Sequence, residues 1–359
     1  MFNSKHYVPI LKWKRAEQGA LKALREKHKK NITPLVQFVM PKNKPQEQLG
    51  DVIKRFERQL TEISAKLIDV WGLTPIFVDV SLLFSTPLKT KALDVISREG
   101  HRLGGIFIPV AHLNDNEQII KSAIVVAKKT EKGLCLRLIS SDFSNTTELN
   151  QNITKFFSGG LSEKDIDLLV DIKETEKNVD KYVKYINLSQ NIPGLSKWRT
   201  FTFASGSFPE DLSECKLDEE NLMPRIDWKS WKEHISKKLQ RKPTFADYTI
   251  QHPVYKEITQ FFHPTSSIKY TLENDWLIMK GKKQKFELYL ASAAELVKDK
   301  RFSGENFSEG DKYIAEKAKH FETYIKNPAI KGTGSTETWL KAGINHHLSL
   351  VADQIANLP

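Results

Sequence analysis

Short apolar runs of four to eight residues recur along the chain, and most of the segments between them repeat their apolar positions at intervals of three and four. The clearest run, Pro75 to Ser81, carries Ile76-Phe77-Val78 and ends in Asp79. Others are Tyr7 to Leu11, Ile32 to Val39, Ile106 to Ala111, Leu134 to Ile139, Ile166 to Ile172, Trp198 to Ala204 and Pro243 to Ile250. Apolar on both faces and rich in branched residues, these runs read as strands of a parallel sheet covered on each side. Helices are expected between them. The longest, Gln48 to Val70, has Leu49, Ile53, Phe56, Leu60, Ile63, Leu67 and Val70 on one stripe. Asp227 is expected to cap a helix reaching Leu239.

Eight strands alternating with helices, closed by right-handed crossovers, define a (β/α)8 barrel. An open doubly wound sheet is the competitor. No Gly-x-Gly-x-x-Gly follows the first strand to favour it. The barrel is expected to occupy residues 1–265. After it, Ile268 to Met279 alternates around Asn274-Asp275 like a β-hairpin. Helices are expected over Phe286 to Lys298, Asp311 to Tyr324 and Thr336 to Leu358, so residues 266–359 form an extension packed on the barrel.

In such a barrel, polar residues at the C-terminal ends of strands gather at one mouth. The residues in that position are Lys12, Gln37, Asp79, Arg137, Asp171 and Asp247. Lys12 and Arg137 suit a phosphate or carboxylate, with Asp247 as a further ligand contact. Asp79 and Asp171 suit acid–base work or a metal, and His252, just past the eighth strand, is the histidine best placed for proton transfer. The same charges could equally form an internal ion-pair network, because a buried charge needs a partner whatever the function. Ser205-Gly206-Ser207-Phe208-Pro209 follows the seventh strand, where barrel loops often hold phosphate. It also reads as a plain turn ended by proline. His346 and His347 are adjacent and so face different ways on the last helix, which suits packing better than metal binding.

Composition narrows the classes. Hydrophobic residues are 40% and charged residues 28% of 359, the balance of a globular chain. The formal charge of +11 favours anionic partners. Basic runs at Lys237 to Lys242 and Lys280 to Lys285, with Trp228, Trp231 and Trp276 in the neighbourhood, match the lysine-plus-aromatic pattern of single-strand binding, or else are solvated faces. The two cysteines, Cys135 and Cys215, form neither a disulfide framework nor a thiolate zinc site, which fits a reducing cytoplasm. No apolar run approaches the ~18 residues of a membrane span. No Walker loop, kinase set or Gly-x-Ser-x-Gly elbow occurs, and no cofactor is indicated.

Tyr7-Val8-Pro9-Ile10-Leu11-Lys12-Trp13-Lys14, Thr33-Pro34-Leu35, Phe77-Val78-Asp79-Val80-Ser81, Leu136-Arg137-Leu138 and Leu169-Val170-Asp171 occur in an order that resembles the beta protein family. The series continues through Ser205 to Pro209, Phe245-Ala246-Asp247-Tyr248 and His346-His347. Gln37 departs from the acidic residue expected at its position. The resemblance implies a setting of phage–host conflict and supplies no mechanism. Two functions stand open. One is an anion-binding barrel, for a nucleotide or nucleic acid, that could also hydrolyse a phosphodiester. The other is a non-catalytic interaction protein, an inhibitor, antitoxin-like partner or complex subunit, whose polar cluster is structural and whose C-terminal helices and hairpin form the contact.

Overall fold

The computed structural model describes residues 2–175, 179–217, 219–256, 265–329 and 331–358. Strands β1 (Tyr7–Lys12), β2 (Leu35–Gln37), β3 (Ile76–Asp79), β4 (Phe107–His112), β5 (Leu134–Ile139), β6 (Ile166–Glu174) and β7 (Thr200–Gly206) follow in chain order. After the short strand β8 (Asn221–Pro224) comes β9 (Thr244–Asp247), which pairs with β7 on one side and β1 on the other. The barrel thus closes in the order β1-β2-β3-β4-β5-β6-β7-β9, with every pair parallel. This is the expected (β/α)8 barrel.

Helices α1 (Arg15–Lys22), α2 (Glu26–Lys29), α3 (Leu49–Trp71), α4 (Thr86–Arg102), α5 (Glu117–Thr130), α6 (Thr146–Ser158), α7 (Asp180–Gln190) and α8 (Ile226–Ile235) surround it. The side chains sort by the two-residue period of the strand. Val8, Ile10, Leu35, Phe77, Val110, Cys135 and Leu169 fill the interior. Tyr7, Leu11, Val36, Val78, Leu136, Val170, Phe203 and Phe245 pack outward against the helices. Phe2, stacked on His6 at 4.3 Å and edge-on to Phe77 at 6.4 Å, closes the N-terminal end. Along α3, Phe56, Leu60, Ile63, Leu67 and Val70 are buried as the stripe requires, whereas Leu49, in the first turn, is exposed.

The extension holds the expected hairpin, β10 (Ile268–Thr271) and β11 (Asp275–Met279), and helices α9 (Leu288–Leu296), α10 (Glu309–Lys326) and α11 (Thr336–Ala356). The hairpin is not alone. β8, lying within the segment assigned to the barrel, pairs antiparallel with β11 and makes a three-stranded sheet. A four-residue strand containing Asn and Pro carries no alternation long enough to read from sequence. Asp227 is not a helix cap. Arg225 holds that position, and Asp227 sits in the first turn of α8, where it accepts a hydrogen bond from Ser207 Oγ at 2.7 Å.

Buried polar groups fill the seam between barrel and extension. Asp247 accepts from Tyr7 Oη and pairs with His347 Nε2 at 2.8 Å, and the other ring nitrogen of His347 meets Thr271 Oγ1 at 2.9 Å. His346 spans Asp311 at 2.9 Å and the Thr271 carbonyl at 2.8 Å. The two histidines do face different ways, and both are packed. Arg225 donates to the Leu272 and Glu273 carbonyls and to Gln354 Oε1, all within 3.1 Å. Among the described residues no helix is long and apolar enough to cross a membrane.

Candidate functional site

Six of the sequence-selected residues converge at the C-terminal mouth. Register places Lys12 beside Gln37, Gln37 beside Asp79, and His112 beside Arg137, all on inward positions. The Arg137 guanidinium, 0% exposed, is the hub. It donates to Asp79 Oδ2, to Asp171 Oδ2 through Nε at 3.0 Å and Nη2 at 2.6 Å, and to Tyr248 Oη at 2.8 Å. Tyr248 Oη donates onward to Asp171 at 2.6 Å, and Gln37 Nε2 reaches Asp79 at 3.3 Å. The sixth, His252, sits at the rim with its Nε2 3.6 Å from Glu174 Oε1.

The carboxylates serve the backbone as well. Asp79 Oδ1 accepts the Ser81 N–H at 2.8 Å, and Asp171 Oδ1 accepts the Lys173 N–H at 2.8 Å. These are Asx turns, ending β3 at Asp79 and accompanying the bulge within β6 at Asp171, a structural reason for Asp at those positions. Burial alone would raise the Asp79 carboxyl, but His112, Arg137 and the Ser81 N–H hold it far below the usual range. Burial works the same way on Asp171, where Lys173, Arg137 and Tyr248 prevail. Both are therefore permanent anions and weak bases near neutral pH.

Lys12 differs. Its side chain is buried, its ammonium donates to the His252 carbonyl at 3.1 Å, and no carboxylate among the described residues stands within ion-pair range. Burial lowers its pKa to about 8; Glu17 opposes this, and the neighbouring Lys173 adds to it. Glu17 is itself buried and takes a hydrogen bond from Gln251 at 2.9 Å. Lys173 pairs with Asp171 at 3.1 Å, and the Lys12 and Lys173 ammoniums each lie 5.4 Å from the Tyr248 ring centroid. Arg137 and Lys173 balance Asp79 and Asp171 by direct contact, whereas the Lys12 ammonium feels the Glu17 carboxylate only through space.

Three selected residues lie elsewhere. Asp247 alternates with Ala246 and Tyr248 along β9 and so points out of the barrel, into the seam with His347. Ser205 is buried on the outer side of β7, sharing the parity of Phe201 and Phe203. Ser207 is turned to Asp227. Between them, Gly206 makes room for a close contact: a Cβ there would stand 3.1 Å from the Tyr248 ring and 3.2 Å from Pro253. The tryptophans near the basic runs are also withdrawn. Trp228 and Trp231 stack at 5.5 Å against Phe245, and Trp276 packs on Phe208, all at 1% exposure or less. They offer no platform for bases.

Tyr248, Lys173, His112 and Glu17 were missed as site residues. Tyr248 was findable, since it continues the inward parity of Ala246. Lys173 was not: a β-bulge after Asp171 and a left-handed backbone, φ 58°, bring its ammonium over Tyr248, and neither leaves a signature in sequence.

Beside the mouth opens a cleft of about 840 Å³, between the loops after β1 and β2, α3 and the start of α11. Glu17 and Gln251 line it, and Glu17 acts electrostatically on Lys12, which is buried and does not itself line the cleft. Among the described residues no three His, Cys, Asp or Glu side chains cluster in a way that could hold a metal ion.

The fold and this mouth define a (β/α)8 barrel protein with a buried charged cluster at the strand ends. A model of the family described as Beta protein matches residues 7–353, and the chain belongs to that family. No curated protein and no solved structure matches it.

Proposed function

We propose that this barrel binds an anionic ligand, a nucleotide or nucleic acid, at the strand C-terminal mouth, and that it does so in the cytoplasm in a setting of phage–host conflict. One observation carries the ligand class: Lys12, a buried ammonium whose partner is a carbonyl and not a carboxylate. Desolvating an ammonium that has no carboxylate in contact is unfavourable, and an incoming phosphate or carboxylate would reduce that penalty. Lys173, with its side chain about one-third exposed, is the second cation within reach. Arg137 is the scaffold of the site and not its grip, because Asp79, Asp171 and Tyr248 engage all three of its nitrogens. Hydrolysis of a bound phosphodiester would draw on His252 for proton transfer, since Asp79 and Asp171 are weak bases.

The test is mass spectrometry of small molecules and nucleic acid released when the purified protein is denatured, run beside the Lys12→Met variant. An anionic species present with the parent protein and absent from the variant is expected. The same profile from both would reject the site.

The second reading, a non-catalytic interaction protein, rests on Phe84, 64% exposed in the loop after β3 at the same end of the barrel. Under that reading Phe84→Asp abolishes association with a protein encoded at the same locus and leaves anion binding unchanged.

A further inference from the structure

We propose that the cleft beside the mouth seats the base of a nucleoside 5′-monophosphate whose phosphate lies on Lys12. The inference rests on the anion site just described and narrows its ligand. The floor of the cleft is built from Trp13, Phe38, Met40 and Phe56, with the Trp13 and Phe38 rings 6.0 Å apart. Trp13 is partly exposed, so one ring is available to a flat partner, whereas the other tryptophans near basic segments are sealed. Stacking on an aromatic ring suits any base. The side-chain amide of Gln59, exposed on α3, offers both a donor and an acceptor to a base edge. The Glu17 carboxylate, which lines the cleft and interacts electrostatically with Lys12, would accept a hydrogen bond from a ribose hydroxyl.

Size favours a single nucleotide over a strand. A volume of about 840 Å³ is that of a small-molecule site.

The experiment is isothermal titration calorimetry of the full chain with AMP, GMP, CMP and UMP, against ribose 5-phosphate and inorganic phosphate. At least one nucleotide should bind about tenfold or more tighter than ribose 5-phosphate, the scale of one base stacked on one ring. Trp13→Leu should remove that preference and leave ribose 5-phosphate binding as it was. Met40→Glu, which puts a charge on the cleft floor, should do the same and serves if the first variant does not fold. Equal binding of nucleotides and ribose 5-phosphate would overturn the base cleft and leave the anion site standing. No binding of any phosphate compound would overturn both. A preference that survives both substitutions would overturn the proposal.

Discussion

Replacing Lys12 by Met keeps the length of the side chain and deletes its charge. If Lys12 exists to meet an anion, the unliganded protein should gain stability from the change. A lysine whose pKa falls from 10.5 to about 8 on folding carries about 3 kcal/mol of destabilisation at neutral pH, at about 1.4 kcal/mol per pH unit. The lost bond to the His252 carbonyl returns about 1 kcal/mol of that. The net expectation is a gain of roughly 2 kcal/mol at pH 7, or about 2–3 °C in melting temperature for a chain of 359 residues. The sign follows from linkage. Below pH 8 both folded and unfolded states hold the proton and the penalty is complete. Between pH 8 and 10.5 the unfolded state binds more protons, so the parent protein gains stability as pH rises. Above 10.5 the penalty is gone. The advantage of Lys12→Met should therefore shrink steadily between pH 8 and 10.5. Calorimetric melting of both proteins at pH 7 and pH 10, with and without phosphate, reads this out. A variant that is less stable than the parent at pH 7, with phosphate shifting both melting temperatures equally, would refute the reasoning.

Arg137→Met should behave in the opposite way. It leaves Asp79 and Asp171 buried without their guanidinium and should cost about 3–5 kcal/mol in urea unfolding at pH 7. That loss should diminish in acid, because the contribution of these depressed carboxyls is present above about pH 4 and fades as pH falls toward their folded values. Asp247→Asn should lower stability by about 1–3 kcal/mol by breaking the charged contact with His347, and hydrogen exchange should show α11 and β9 losing protection together. Since Asp247 lies outside the barrel wall, its loss should leave phosphate affinity unchanged, and a large fall in affinity would show that its side chain reaches the mouth after all.

The barrel was legible because its strands obey one rule: a buried parallel strand is apolar on both faces, and the helix that follows is amphipathic. The polar mouth was legible for the same reason, since Lys12, Gln37, Asp79, Arg137 and Asp171 interrupt otherwise apolar runs. What could not be read was which way each one points. Asp79, Asp171 and Asp247 look alike in sequence, each near the end of an apolar run, and in the fold each accepts the N–H two residues on. A single step of strand parity sends the third into the seam with His347 and leaves the first two on Arg137. Whether the charges were paired was likewise invisible, because the partners come from different strands. The cleft was not legible because its walls come from five separate stretches, around Trp13, Met40, Gln59, Gln251 and Leu340, that nothing in the pattern joins.

The claim that matters most is that an anion belongs beside Lys12. A crystal structure of the protein soaked in selenate, whose selenium scatters anomalously, tests it directly. The expected result is an anomalous peak inside the mouth with selenate oxygens about 3 Å from Lys12 Nζ, absent from crystals of Lys12→Met. Peaks only on exposed lysines such as Lys237 or Lys282, with the mouth empty in both proteins, would contradict it.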